Sequence, residues 1–120
     1  MENILVISRH PEILGVVVRL INQQPDWNAI GTCVDQEALQ IFQQENIALV
    51  LLGNGILPEE EEKLRAELLA INPAVLIIQH YGGGSGLLVC EIRQALDRRR
   101  AKNLASRIGP LAVNLATQME

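Results

Sequence analysis

The sequence predicts an α/β fold, a three-layer, doubly wound parallel sheet with helices on both faces. Three observations carry this. Short continuous apolar runs at residues 4–7, 47–52 and 74–78 read as strands buried on both faces. The segments between them place apolar residues at helical spacing. The two kinds alternate, β-α-β-α-β-α-β, through short connections, which implies parallel strands and right-handed crossovers.

The first strand, residues 4–7, leads into Ser8-Arg9-His10-Pro11-Glu12. Pro11 suits the first turn of a helix, where its missing N–H is not needed, and Glu12 suits the positive helix end. Ile13, Val17, Leu20 and Ile21 recur at helical spacing, and Leu14, Val16 and Val18 widen that face. This helix is expected to be buried over most of its circumference. Residues 22–26 end it. The second strand, residues 27–34, with Ala29, Ile30 and Val34 as apolar points, is weaker, as befits an edge. Asp35 is the expected N-cap of a helix carrying Ala38, Leu39, Ile41 and Phe42.

Residues 47–52 form the central strand. In open α/β sheets the working site lies just past the carboxyl ends of such strands. Gly53 holds that place and brings no functional group. Pro58 opens a third helix, with Glu59, Glu60, Glu61 and Glu62 in its first turn and Leu64, Leu68 and Ile71 as its inner stripe. Asn72-Pro73 stops it before the fourth strand, residues 74–78. Gln79-His80-Tyr81 then enters Gly82-Gly83-Gly84-Ser85-Gly86. A helix with Leu88, Ile92, Ala95 and Leu96 on its apolar face follows and runs into Arg98-Arg99-Arg100-Ala101-Lys102. Gly109-Pro110 breaks it, and residues 111–119 are expected to form a last short helix.

The 120 residues make one domain with a real core, and a hydrophobic content of 48% excludes disorder. No apolar run approaches the roughly 18–20 residues needed to cross a bilayer. The chain starts on a strand-like run with no basic leader, so no signal peptide is expected. Cys33 and Cys90 lie far apart, outside any CxxC or His/Cys cluster, so neither a disulfide nor a zinc site is expected, and a cytoplasmic location fits. The net charge of −4 is uneven. Residues 1–90 hold 4 Lys/Arg and 11 Asp/Glu, net −7, whereas residues 91–120 hold 6 and 3, net +3. The acidic body argues against a nucleic-acid binder. The basic residues Arg93, Arg98, Arg99, Arg100, Lys102 and Arg107 have no aromatic among them to stack on bases, and read as a solvated helix face.

Several stretches resemble the CheY-like receiver domain of two-component response regulators, and most of all the receivers that precede a LuxR-type DNA-binding domain. They are Ile4-Leu5-Val6-Ile7-Ser8-Arg9-His10-Pro11-Glu12-Ile13-Leu14, Gln24-Pro25-Asp26-Trp27 with Ile30-Gly31-Thr32, residues 48–58, and Gly86-Leu87-Leu88 through Ile92-Arg93-Gln94-Ala95-Leu96. The likeness covers residues 3–100, with residues 101–120 as a helical extension. It implies a CheY/flavodoxin-like fold. It also implies where the family's chemistry would sit, and there the chain departs. The two acidic residues that hold Mg²⁺ in a receiver fall at Ser8 and Arg9. The phosphorylated Asp falls at Gly53, the Thr or Ser that bonds the phosphoryl group falls at His80, and the family's Lys has no counterpart. Mg²⁺ wants hard oxygen ligands, and Arg9 brings positive charge instead. The family also has a helix and a fifth strand between its fourth strand and last helix. Here both are missing, so the sheet is expected to be truncated and closed by Gly82-Gly83-Gly84.

These departures define a degenerate pseudo-receiver, expected to signal through a protein partner without phosphorylation, cofactor or metal. No nucleophile–base–orienter set is visible, so an enzyme is not expected. A second reading is a small-ligand sensor that holds an anion or nucleotide at Arg9, Asn54, Gly83, Gly84 and Ser85. The glycine run follows a strand and precedes a helix, but it lacks the Walker Lys and the GxGxxG spacing, and a deletion joint is the plainer reading. A third reading is a nucleic-acid-binding regulator that uses the basic helix. His10 with His80 is a weak polar or metal pair. The bare edge of the fourth strand is expected to be covered by residues 101–120, in a homodimer rather than within one chain.

Overall fold

The computed structural model describes residues 1–80 and 85–108. The elements are β1 (Glu2–Ile7), α1 (Pro11–Asn22), β2 (Trp27–Thr32), α2 (Asp35–Gln44), β3 (Ile47–Leu52), α3 (Pro58–Ile71), β4 (Leu76–Gln79) and α4 (Ser85–Ile108). The strands form one parallel sheet in the order β2-β1-β3-β4. β1 and β3, the most apolar strands, are its interior pair, because only interior strands bury both faces. Alternate residues divide between two cores. Ile4, Val6, Leu49 and Leu51 pack with Ile21 of α1 and with Leu88, Ile92, Ala95 and Leu96 of α4. Leu5, Ile7, Val50 and Leu52 pack with Ala38 and Phe42 of α2 and with Leu64 and Leu68 of α3.

The connections share one hand. β1-α1-β2 leads to one edge of the sheet over one face. β2-α2-β3 and β3-α3-β4 lead the opposite way over the opposite face. Reversing both direction and face preserves handedness, as the right-handed rule requires.

Several boundaries differ from expectation for identifiable reasons. α1 is amphipathic rather than buried all round. Ile21 is its buried residue, while Ile13 and Val16 are 41% and 51% exposed, because a helix over the edge of a four-stranded sheet has core on one side only. β2 ends at Thr32, since Thr32 Oγ1 accepts the Val34 amide at 3.1 Å and turns the chain out of the sheet. Val34, not Asp35, is the N-cap of α2, and Asp35 is already helical. β4 starts late because Asn72 accepts the amides of Ala74 and Val75 at 3.0 and 3.1 Å.

Only residues 80–84 separate β4 from α4, too few for a helix and a strand. α4 packs on the α1 face of the sheet. It continues unbroken through residue 100 to Ile108, so the boundary expected at residue 100 falls inside a helix. The helix expected at 111–119, and the packing expected of it, lie outside the described residues.

Candidate functional site

β1 and β3 end side by side, with Ile7 level with Leu52. The Gly53 amide donates to the Ile7 carbonyl at 2.7 Å, and the Ser8 amide donates to the Thr32 carbonyl at 3.2 Å. This sets Ser8, Arg9, Gly53 and Asn54 on the carboxyl rim of the sheet, where the sequence placed them. Ser8 is 2% exposed. Its Oγ donates to the Asn54 carbonyl at 3.4 Å and accepts the His10 amide at 3.2 Å. The Asn54 carbonyl also takes the Arg9 amide at 3.0 Å. Ser8 thus ties two loops together. A Cβ at Gly53 would stand 3.2 Å from the Ser8 Cβ and 3.4 Å from the Ile7 carbonyl oxygen. Gly55 has φ +88°, and a Cβ there would stand 2.7 Å from the Arg9 Cβ. Glycine is needed at 55 both for its backbone and for the passage of Arg9.

Arg9 reaches across this rim. Its Nη2 donates to Asp35 Oδ2 at 2.9 Å, and its Nη1 lies 2.7 Å from Asp35 Oδ1. The second contact is ionic without hydrogen-bond alignment. Nη1 also donates to the Cys33 carbonyl at 3.2 Å, and Nη2 lies 3.5 Å from Glu60 Oε2. The hydrogen bond to Asp35 raises the guanidinium pKa, against the opposing effect of burial and with further help from the charges of Asp35 and Glu60. One cation therefore joins the β1–α1 loop to the first turns of α2 and α3. It stands on the rim where the resemblance would put a metal, with two carboxylates already around it. Glu60 is further occupied by the Leu57 amide, which donates to its Oε1 at 3.0 Å.

His80 lies at the end of β4. Its amide donates to the Leu52 carbonyl at 3.0 Å, and its Nδ1 sits 3.0 Å from Glu91 Oε2 on α4. Its side chain is nearly buried, whereas His10 is exposed. No group of three metal-ligating side chains forms among the described residues. Of the anion-site residues, Arg9 and Asn54 lie together on the rim. Gly83 and Gly84 fall outside the described residues, and the Ser85 side chain is not among those described. An anion bound at Arg9 would have to compete with Asp35 and Glu60.

Arg93, Arg98 and Arg100 of α4 stay exposed and Arg99 is half-buried, yet three of these four reach neighbouring elements. The Arg93 guanidinium lies 4.8 Å from the centre of the Trp27 ring and donates to Gln24 at 3.1 Å. Arg99 donates to the Ala48 carbonyl at 2.7 Å, and Arg100 pairs with Glu2 at 3.5 Å. The sequence reading missed the joining of Arg9 to Asp35 and Glu60, and that of His80 to Glu91. The signal for the first was present. Both acids open helices that follow strands, so the topology returns them to the rim that holds Arg9.

No protein-family model matches the sequence, and no curated protein matches it. Solved structures do match the fold. A CheY-like response regulator receiver domain protein from Methanospirillum hungatei JF-1 aligns with TM-score 0.75 at 14% identity, over 85% of this chain and 98% of that one. The signal receiver domain of an HD domain-containing protein from Pseudomonas fluorescens Pf-5 aligns with TM-score 0.72 at 18% identity, over 85% and 91%. A putative pilus assembly-related protein from Burkholderia pseudomallei K96243 aligns with TM-score 0.57 at 18% identity, over 79% and 72%. The fold is that of CheY-like receiver domains, shortened to four strands and four helices among the described residues.

Proposed function

We propose that this receiver-like fold is a signalling module that acts by protein–protein interaction and carries no phosphoryl group. The observation behind this reading is the rim itself. By the resemblance, Gly53 falls where a receiver has its acceptor carboxylate, and a Cβ there would press on Ser8. By the resemblance, Ser8 and Arg9 fall where the metal ligands would be, and Arg9 is already engaged by Asp35 and Glu60. Phosphoryl transfer works by positioning and by metal-assisted charge stabilisation, and among the described residues the carboxylates of this rim, Asp35 and Glu60, are held by Arg9.

The test is incubation with acetyl phosphate and Mg²⁺ followed by intact-mass measurement. No phosphoryl adduct is expected, and millimolar Mg²⁺ is expected to leave the melting temperature unchanged, since a ligand of the native state must raise it. Gly53→Asp is expected to remain unphosphorylated, because the metal site is still missing. An acid-labile adduct on the parent chain overturns the reading.

A further inference from the structure

Among the described residues, β4 is the unpaired edge of the sheet on the side away from β2. Its sequence, Leu-Ile-Ile-Gln, holds no charge and no proline, so within the strand itself only shortness guards against pairing. The His80 amide points to β3, so by alternation the amides of Leu76 and Ile78 do too, and those of Ile77 and Gln79 point outward. Beside the edge runs a groove of about 390 Å³ lined by Pro73, Leu76, Ile78, Ala95 and Arg98.

The chain that follows α4 is a poor occupant of this edge within its own protomer. α1 and α4 share a face of the sheet. The crossover through α1 leads toward β2 and, by the rule for parallel units, is right-handed. A crossover through α4 to a strand outside β4 would run over the same face in the opposite direction, and so would be left-handed. About 98% of such crossovers are right-handed. The edge therefore calls for a strand from another chain.

We propose that β4 pairs antiparallel with β4 of a second copy, about a two-fold axis near Ile78, so that the two sheets become one. Ile77 and Gln79 then exchange backbone hydrogen bonds with their counterparts. Charge selects this direction. The α4 flank beside the edge carries Glu91 at the level of His80 and Arg98 near Pro73, at the opposite end of the strand. A two-fold axis turns Glu91 toward Arg98 of the partner subunit, whereas a parallel pairing would set like charges together. The proposal names the partner in the reading above as a second copy, and its test is independent of the phosphorylation test.

Sedimentation equilibrium on the full chain, from micromolar to sub-millimolar concentration, is expected to show a reversible dimer. Gln79→Pro removes an outward amide while leaving the pairing with β3 intact, and is expected to be monomeric with an unchanged far-UV CD spectrum. Gln79→Ala loses the side-chain contact with Glu61 but keeps the amide, and is expected to stay dimeric. Arg98→Glu leaves β4 untouched and is expected to raise the dimer Kd about tenfold, from like-charge contacts repeated on both sides of the axis. Leu111→Glu with Leu115→Glu is expected to leave dimerisation unchanged. A parent chain that stays monomeric overturns the proposal, as does a dimer that survives both Gln79→Pro and Arg98→Glu. Loss of the dimer on charging residues 111 and 115 overturns it in favour of the C-terminal segment. If Gln79→Pro fails to fold, the Arg98→Glu Kd decides.

Discussion

Arg9 shows how one side chain can take over what a bound ion would do. Its side chain is 21% exposed and faces Asp35, with Glu60 beside it. Removing it would leave two acids side by side on the rim, whereas removing Asp35 would leave a partly buried cation with only Glu60 and the Cys33 carbonyl beside it. The two losses overlap, so the effects of Arg9→Met and Asp35→Asn on stability are expected not to add. A coupling of about 1 kcal/mol is expected in a double-mutant cycle read by urea unfolding, a modest value because solvent reaches both groups. A coupling indistinguishable from zero would mean that the pair holds nothing together. Ser8, Arg9 and Gly53 were legible in the sequence because they follow apolar runs whose ends are unambiguous. The pairing was not, because Asp35 was read through local rules as a cap, and a local rule has no access to a cation twenty-six residues away.

Among the elements, β1 and β3 were the most legible, since a strand buried on both faces leaves an uninterrupted apolar run. α1 was read as more buried than it is, because its valines fill every side of the helix while the sheet offers only one. The contact between α1 and β2 depends on a small residue. A Cβ at Gly31 would come within 2.8 Å of both Leu14 Cδ1 and Val18 Cγ2. Gly31→Ala is therefore expected to destabilise the protein by about 1–3 kcal/mol through overpacking. Gly15, on α1 itself, meets nothing within 4 Å. Gly15→Ala is expected to stabilise by about 0.5–1 kcal/mol through helix propensity alone. Thermal or urea melting of the two variants measures both, and the opposite signs separate the packing of β2 against α1 from the helix propensity of α1.

For the whole molecule, the alternation of strands and helices was enough to predict a parallel sheet with two covered faces, and the shortness of residues 81–85, set against the receiver resemblance, predicted its truncation. What the sequence could not show is that α4 lies on the α1 face, which turns the missing strand from a gap the chain could refill into an edge open to another molecule. α4 is also the element that the sheet holds by one face only, through Leu88, Ile92, Ala95 and Leu96.

The chain carries its own reporter of that attachment. Trp27 is its one tryptophan, 3% exposed at the start of β2, with the Arg93 guanidinium over its ring. Its emission reads the seam between α4 and the sheet rather than the rim or the β4 edge. If α4 and the sheet unfold as one cooperative unit, the red shift of Trp27 and the loss of far-UV CD will trace the same urea curve. Coincident curves are the expected result, and emission that shifts ahead of the CD signal would show α4 lifting from a sheet that is still folded. In optical terms, the cation–π contact makes the docking of one helix visible without a label.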